Sequence, residues 1–215
     1  MATLASLFLS SFIVGFSGAI MPGTLLAATV AESARRGAKA GPLLVLGHGL
    51  LETALVVLLL VGLAPLFRQQ AFFFTISLAG GAVLLWLAYG MFRSLPKLTL
   101  VMTGTGGSGR SPLLTGILMS LANPYWILWW ASIGLGYILN SRRYGLAGVL
   151  FFFTGHLLAD LTWYSAVSFS IGRGRRLFSD AAYRIIIGVC ASALVSFAVY
   201  FLFKAACVLP FFKVN

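Results

Sequence analysis

Residues 155–160 read Gly-His-Leu-Leu-Ala-Asp and lie inside an apolar run from 145 to 171. A run of that length crosses a bilayer as a helix. A carboxylate at the centre of such a helix costs roughly 3 kcal/mol or more, so it normally faces a cavity, a partner or a proton path. At an offset of 108, residues 47–52 read Gly-His-Gly-Leu-Leu-Glu inside a second apolar run, 41–65. Each segment carries Gly-His and then an acid four residues after the histidine, which puts His48 with Glu52, and His156 with Asp160, on common helical faces. Arg35 with Gly37 matches Arg143 with Gly145 at the same offset, and Met21-Pro22 lies near Asn123-Pro124 at an offset of 102. The chain reads as an internal repeat.

Outward from these segments the composition fixes the class. Of 215 residues, 60% are hydrophobic and 9% charged, with a mean hydropathy of +1.00. A soluble domain carries about a quarter charged residues, so this is an integral membrane protein with no room for a soluble catalytic domain. Apolar runs at about 4–31, 41–65, 71–92, 112–139, 145–171 and 183–208 are each long enough to span. Their uniform hydrophobicity predicts an all-α fold of six transmembrane helices, where barrel strands would alternate with polar residues. The first basic residue is Arg35, so the opening run lacks the basic start of a signal peptide and reads as a retained span. Cys190 and Cys207 fall in one predicted helix, about 25 Å apart at 1.5 Å per residue, too far to pair with each other.

The net charge of +11 would suggest nucleic acid in a soluble protein, but here membrane topology explains it better. Arg35, Arg36, Lys39, Arg93, Lys97, Arg110, Arg173, Arg175, Arg176 and Arg184 fall in gaps on one side; Arg68, Arg142, Arg143, Lys204 and Lys213 fall on the other. The positive-inside rule then places both termini outside the cytoplasm, with Arg142 and Arg143 opposing the trend. Residues 94–111 read as a flexible cytoplasmic linker between two units, 1–93 and 112–215. Gly104, Gly106 and Gly109 match a dinucleotide-binding spacing there by letter only, since no strand, helix or following acid accompanies them. Three spans per unit make the second unit insert upside down, an inverted repeat.

Inverted repeats with interrupted helices are the signature of secondary transporters, whose sites form near the bilayer midplane. Asn123 is a favoured N-cap and Pro124 suits the first helical position, so a new half-helix is expected inside span 4. Pro22-Gly23 offers a looser break in span 1; simple kinks are the other reading of both prolines. Glu52 and Asp160 are the acids well inside apolar runs, whereas Glu32 and Asp180 lie in the basic gaps. The two histidines either lock their carboxylates or exchange protons near neutral pH. Tyr125, Trp126, Trp129 and Trp130 follow the expected break and either line a cavity or face lipid. Gly155 with Ala159, and Gly188 with Ser192, have small-residue spacing for close helix packing, which permits a homodimer without requiring one.

Two histidines and two carboxylates also suit a divalent metal as cargo, the alternative reading. A membrane-embedded enzyme is disfavoured: no C-x-x-C pair, nucleophile elbow or H-E-x-x-H motif is present, and no cofactor or resident metal is implied.

With six spans, Met21-Pro22-Gly23 in span 1, an acid in span 2, Leu121-Ala122-Asn123-Pro124 in span 4 and an acid in span 5, nearly the whole chain resembles the LysE/RhtB family of amino-acid exporters. The resemblance implies export of amino acids from the cytoplasm in exchange for protons, across the cell (inner) membrane of a bacterium or archaeon. The family often has a second proline where this chain has Thr24, lysine where it has Tyr125, and aspartate where it has Glu52. Its wider superfamily also contains divalent-metal exporters. The expected cargo site joins Pro22, Gly23, Asn123 and Pro124, at half-helix N-termini that favour the cargo carboxylate, to Glu52 and Asp160, which face its ammonium. His48, Glu52, His156 and Asp160 are the expected proton-coupling groups.

Overall fold

A computed structural model describes residues 3–63, 65, 69–98, 110–173 and 179–208. Most of the expected linker, with Gly104, Gly106 and Gly109, lies outside the described residues, as do Arg68, Arg175, Arg176, Lys213 and the Cys207 side chain. The described residues form helices and connecting turns with no strand among them: α1 Leu4–Ala19, α2 Thr24–Arg36, α3 Ala40–Leu58, α4 Gln70–Ser94, α5 Pro112–Leu121, α6 Pro124–Trp129, α7 Leu135–Ser141, α8 Gly145–Arg173 and α9 Asp180–Val208. Helical stretches 40–62, 70–97, 135–173 and 180–206 are long and apolar enough to cross a membrane, and Leu4–Phe16 and Pro112–Leu121 are shorter apolar helices. The stretch 135–173 is two helices rather than one, because Gly145 takes φ 66° and turns the chain between α7 and α8.

Both proline positions interrupt helices. Pro22 cannot donate to a helical ladder and disfavours helical backbone at Met21; the chain leaves α1 at Ile20 and restarts after Gly23, which is fully extended at φ −162°, ψ −167°. Asn123, restricted by Pro124, is extended at φ −102°, ψ 99° and caps α6 by accepting from Tyr125 N with its side chain at 3.1 Å. A π-helical turn, Trp130–Gly134, joins α6 to α7, and the turn Leu59–Leu63 that follows α3 is kinked at Gly62, where φ is 123°.

The main contacts pair α1 with α8, α3 with α5, and α4 with α9. Glycines let the first two pairs approach to backbone contact, as small residues do between membrane helices. A Cβ on Gly47 would collide with the Leu113 carbonyl, and one on Gly116 with the Leu44 carbonyl, so α3 and α5 interlock. Between α1 and α8, a Cβ on Gly155 would lie 3.2 Å from Ser11 Cβ, and Ser11 Oγ donates to the Phe152 carbonyl at 2.6 Å. Gly155 and Ala159 thus pack as expected. Ser192 does not: it is exposed and bonds back to the Gly188 carbonyl, because that face of α9 points away from the bundle.

Three gaps expected to share a side meet at one end. Arg36 donates to the Arg110 carbonyl at 3.1 Å, Arg184 to the Leu98 carbonyl at 2.8 Å, and Gly172 abuts Ala38. Elsewhere the exterior is apolar, with Leu46, Leu50, Val61, Trp86, Ile185 and Phe203 exposed, the surface a bilayer requires.

Gly37 and Gly145 end α2 and precede α8 with nearly the same backbone, φ 79°, ψ −163° and φ 66°, ψ −156°. That region is open essentially to glycine alone. Gly37→Ala and Gly145→Ala should each cost about 1–3 kcal/mol, read as a lower thermal-unfolding midpoint in detergent. Gly136→Ala, whose Cβ meets nothing within 4 Å, should leave the midpoint unchanged or raise it.

Candidate functional site

Leu44, His48, Glu52 and Val56 recur every four residues on the buried face of α3; Phe152, His156, Asp160 and Tyr164 do so on α8. The two faces meet, and the four ionisable groups close into one ring. His48 Nε2 lies 3.1 Å from Glu52 Oε1 and 3.6 Å from Asp160 Oδ2; His156 Nε2 lies 3.1 Å from Glu52 Oε1 and 3.5 Å from Asp160 Oδ2. Each histidine sits between both acids, and each acid between both histidines. All four are buried, with Glu52 the most enclosed at 1% exposure. Histidine and carboxylate alternate round the ring, so each acid has two imidazoles beside it that can donate to it or take up a proton, which is how buried carboxylates are tolerated.

The ring is held unequally. Trp126 and Trp130 of the span-4 segment both donate indole N–H to Glu52 Oε1, at 3.1 and 2.9 Å. Indole nitrogen is a donor only, so this oxygen is fixed as an acceptor. His48 Nδ1 lies 2.7 Å from Ser120 Oγ, whose own proton goes to the Gly116 carbonyl at 2.7 Å. The hydroxyl therefore accepts, and His48 Nδ1 carries the hydrogen. Asp160 Oδ2 has no hydrogen bond, its two histidine neighbours standing at ion-pair distance.

A cavity of about 60 Å³ opens on the ring, lined by His48, Glu52, Ser120, Asn123, His156 and Asp160 among others, with Gly15 and Gly18 of α1 opposite. A second, of about 40 Å³, adjoins it around Met21, Pro22, Gly23 and Asn123; the two share Gly18, Leu25, Asn123, Tyr125 and Tyr164. The first has room for about four to six waters at the 10–15 Å³ that each requires.

The two helix breaks face each other across this space: Asn123 Nδ2 lies 3.6 Å from where a Gly23 Cβ would be, and Thr24 Oγ1 donates to the Met119 carbonyl at 2.8 Å. The structure thus brings Gly23 and Asn123 together at one end of the cavity and His48, Glu52, His156 and Asp160 at the other. The breaks differ in what they offer. No side chain caps α2. At α6, Pro124 lacks an N–H, Tyr125 N is bonded to Asn123 Oδ1, and Trp126 N is bonded to the Asn123 carbonyl at 3.0 Å. That leaves the Asn123 amide group, rather than the α6 backbone, to face a ligand.

His48, Glu52 and Asp160 bring one donor atom each within 4.8 Å of one another, compact enough for a divalent cation. A cation on Glu52 Oε1 would, however, face two indole N–H groups already aimed at that oxygen. Sequence reading missed Ser120 and left the tryptophans open between cavity and lipid; Trp130 is fully buried and Trp129 stacks on His156 with centroids 4.6 Å apart. The spacing of Trp126 and Trp130 was the available signal, since four residues put both indoles on one helical face.

A buried ring of histidines and carboxylates, opening on a cavity between interrupted apolar helices, is the arrangement of a membrane transport protein. The chain belongs to the LysE type translocator family, which it matches over residues 16–205. It is thus a multi-pass membrane translocator, in a family of transporters rather than enzymes. It is 26% identical over 197 residues to "Chemotactic transduction protein ChpE" of Pseudomonas aeruginosa, covering 91% of this chain and 97% of the relative. It is 31% identical over 185 residues to "Uncharacterized membrane protein YahN" of Escherichia coli, covering 81% and 82%. With "Putative amino acid efflux protein YcgF" of Bacillus subtilis it shares 24% identity over 199 residues, covering 91% and 95%. No solved structure matches the chain.

Trp130→Phe removes one of the two indole donors and should cost about 1.5–3 kcal/mol, the range for a hydrogen bond to a charged group. Unfolding in mixed detergent micelles measures it, and the same change on a Glu52→Gln background should cost less than half as much.

Proposed function

We propose that the chain exports amino acids from the cytoplasm, with protons as the coupling ion, through a site near the bilayer midplane. One observation carries the reading: an acid and a histidine from each half close into a single buried ring beside two facing helix breaks. The name of the Bacillus subtilis relative supports amino acids as the cargo class.

The site lies between two inverted units, residues 1–93 and 112–215, joined by a linker at 94–111. Each unit contributes three crossings, with α1–α2 and α5–α7 the interrupted ones. The matched turns at Gly37 and Gly145 support this, as do the matched packings of α1 on α8 and α5 on α3. Swapping the halves exchanges those two packings and returns the α4–α9 pair to itself. Both termini lie outside the cytoplasm, and the clustered arginines of the linker end face inward.

The cargo carboxylate sits at the N-terminus of α2, where the helix dipole favours an anion and the Asn123 amide can donate. Pro22 and Pro124 hold the breaks open, and Gly23 lets the backbone approach. The cargo ammonium faces Glu52 and Asp160. Either observed cavity is small for an amino acid, so loading merges the two across Tyr125 and Tyr164. Protons exchanged at the carboxylates and histidines then bias inward-open against outward-open states.

Bacteria expressing the chain and fed peptides should release a restricted set of amino acids into the medium. Glu52→Gln and Asp160→Asn should each cut that release at least about tenfold, the equivalent of losing one charge-assisted contact. Undiminished release by both variants, or no release with the protein shown to be in the membrane, contradicts the reading. In the second case, raised tolerance to a divalent metal would favour metal cargo. A proton uncoupler that leaves the release rate unchanged removes protons as the coupling ion.

A further inference from the structure

The two histidines occupy matched positions with unmatched surroundings. One turn before each histidine, the α3 or α8 backbone meets the facing helix: the Phe152 carbonyl accepts from Ser11, and the Leu44 carbonyl abuts Gly116. One turn further on, four residues along each helix, His156 meets Gly15 and His48 meets Ser120. At His48 the hydroxyl of Ser120 takes the Nδ1 hydrogen. At His156 the facing residue has no side chain, and a Cβ there would lie 2.9 Å from Nδ1.

His156 Nδ1 consequently has no hydrogen-bond partner, in a residue 5% exposed. Its Nε2 lies 3.1 Å from Glu52 Oε1, an oxygen fixed as an acceptor by the two indoles, so Nε2 carries the hydrogen, and in the neutral imidazole Nδ1 then presents a lone pair. The ring cannot turn to find a donor, because Trp129 stacks on it at 4.6 Å and Trp130 meets it edge-on at 5.3 Å. Two other buried acceptors without a hydrogen bond line the same cavity, Glu52 Oε2 and Asp160 Oδ2. Burying an acceptor without a donor is costly, and this cavity holds three. An unsubstituted ammonium group carries three N–H donors on one atom.

We propose that His156, and not His48, contacts the cargo, its Nδ1 accepting a hydrogen bond from a primary ammonium group beside Gly15, with Asp160 Oδ2 as a second acceptor. His48 is a positioning residue, closed off by Ser120. The proposal rests on the amino-acid export reading and adds a specificity rule: the cargo amine is unsubstituted, since an N-acyl group removes the charge and two of the donors.

Diethyl pyrocarbonate acylates an unprotonated imidazole nitrogen, so it tests the proposal on full-length protein in lipid nanodiscs, with the two histidines scored by peptide mass. The probes are the proteinogenic amino acids and their N-acetyl derivatives, each added as a protecting ligand. His156 should be acylated at least about tenfold faster than His48, whose Nδ1 hydrogen is held by Ser120 and whose Nε2 faces Glu52 Oε1 at 3.1 Å, so that neither of its nitrogens offers a free lone pair. Ser120→Ala should bring the His48 rate up towards that of His156. At least one free amino acid should protect His156, and its N-acetyl derivative should not. Equal rates in the unaltered chain, protection by no amino acid, or equal protection by the N-acetyl derivative overturns the proposal. Export by His156→Phe at the unaltered rate overturns it too while leaving the export reading standing. Protection of His156 in a chain that releases no amino acid supports this contact and counts against export.

Discussion

A carboxylate buried among membrane helices needs a fixed neighbour of opposite tendency, and Glu52 and Asp160 obtain theirs by sharing the same two histidines. Neither acid is balanced by its own helix alone. His48 reaches from α3 to Asp160 on α8, and His156 reaches back to Glu52, so α3 and α8 are tied through their buried ionisable groups. The rest of the bundle serves that juxtaposition. Gly47 and Gly116 bring α5 close enough for Ser120 to reach His48, while Gly155 and Ser11 bring α1 against α8 to face His156 with Gly15.

Function follows from what the ring leaves undone. Paired with one another, the four groups are stable enough to be buried, yet three of their polar atoms have no hydrogen bond. On the proposed reading, a ligand that supplies donors binds there without displacing a fixed partner. The breaks at Gly23 and Asn123 supply the opposite chemistry at the other end of the cavity, a helix start with no side-chain cap and the Asn123 amide nitrogen, whose oxygen caps α6. On the proposed reading a zwitterion has its two charges arranged to suit both ends, and the indoles that hold Glu52 Oε1 leave Oε2 as the oxygen without a hydrogen bond.

Much of the frame was legible in the sequence, because helix length, proline and buried charge act locally. The runs 41–65, 71–92, 145–171 and 183–208 each fall on one long apolar helical stretch, while 4–31 and 112–139 are split into shorter helices at Pro22 and Pro124. The matched Arg-Gly pairs located turns whose backbone angles agree to within about 15°, less than the ordinary scatter of such angles. What could not be read was partnership across space. That Trp126 and Trp130 face Glu52 depends on the rotation of α6, which periodicity over six residues does not fix. That Ser120 meets His48 while Gly15 meets His156 depends on the register between two helix pairs, and no local signal carries it. The apparent equivalence of the two half-helix starts also failed at α6, whose first-turn N–H groups are already taken up by Asn123.

The most direct measurement is an electron-density or cryo-electron-microscopy map of the protein soaked with an exported amino acid, at a resolution that orients the ligand. The account predicts the ammonium nitrogen within hydrogen-bond distance of His156 Nδ1 and Asp160, with the carboxylate at Gly23 and Asn123. A ligand bound with its carboxylate in the ring, or an amino acid seated outside the cavity between the two breaks, would contradict it.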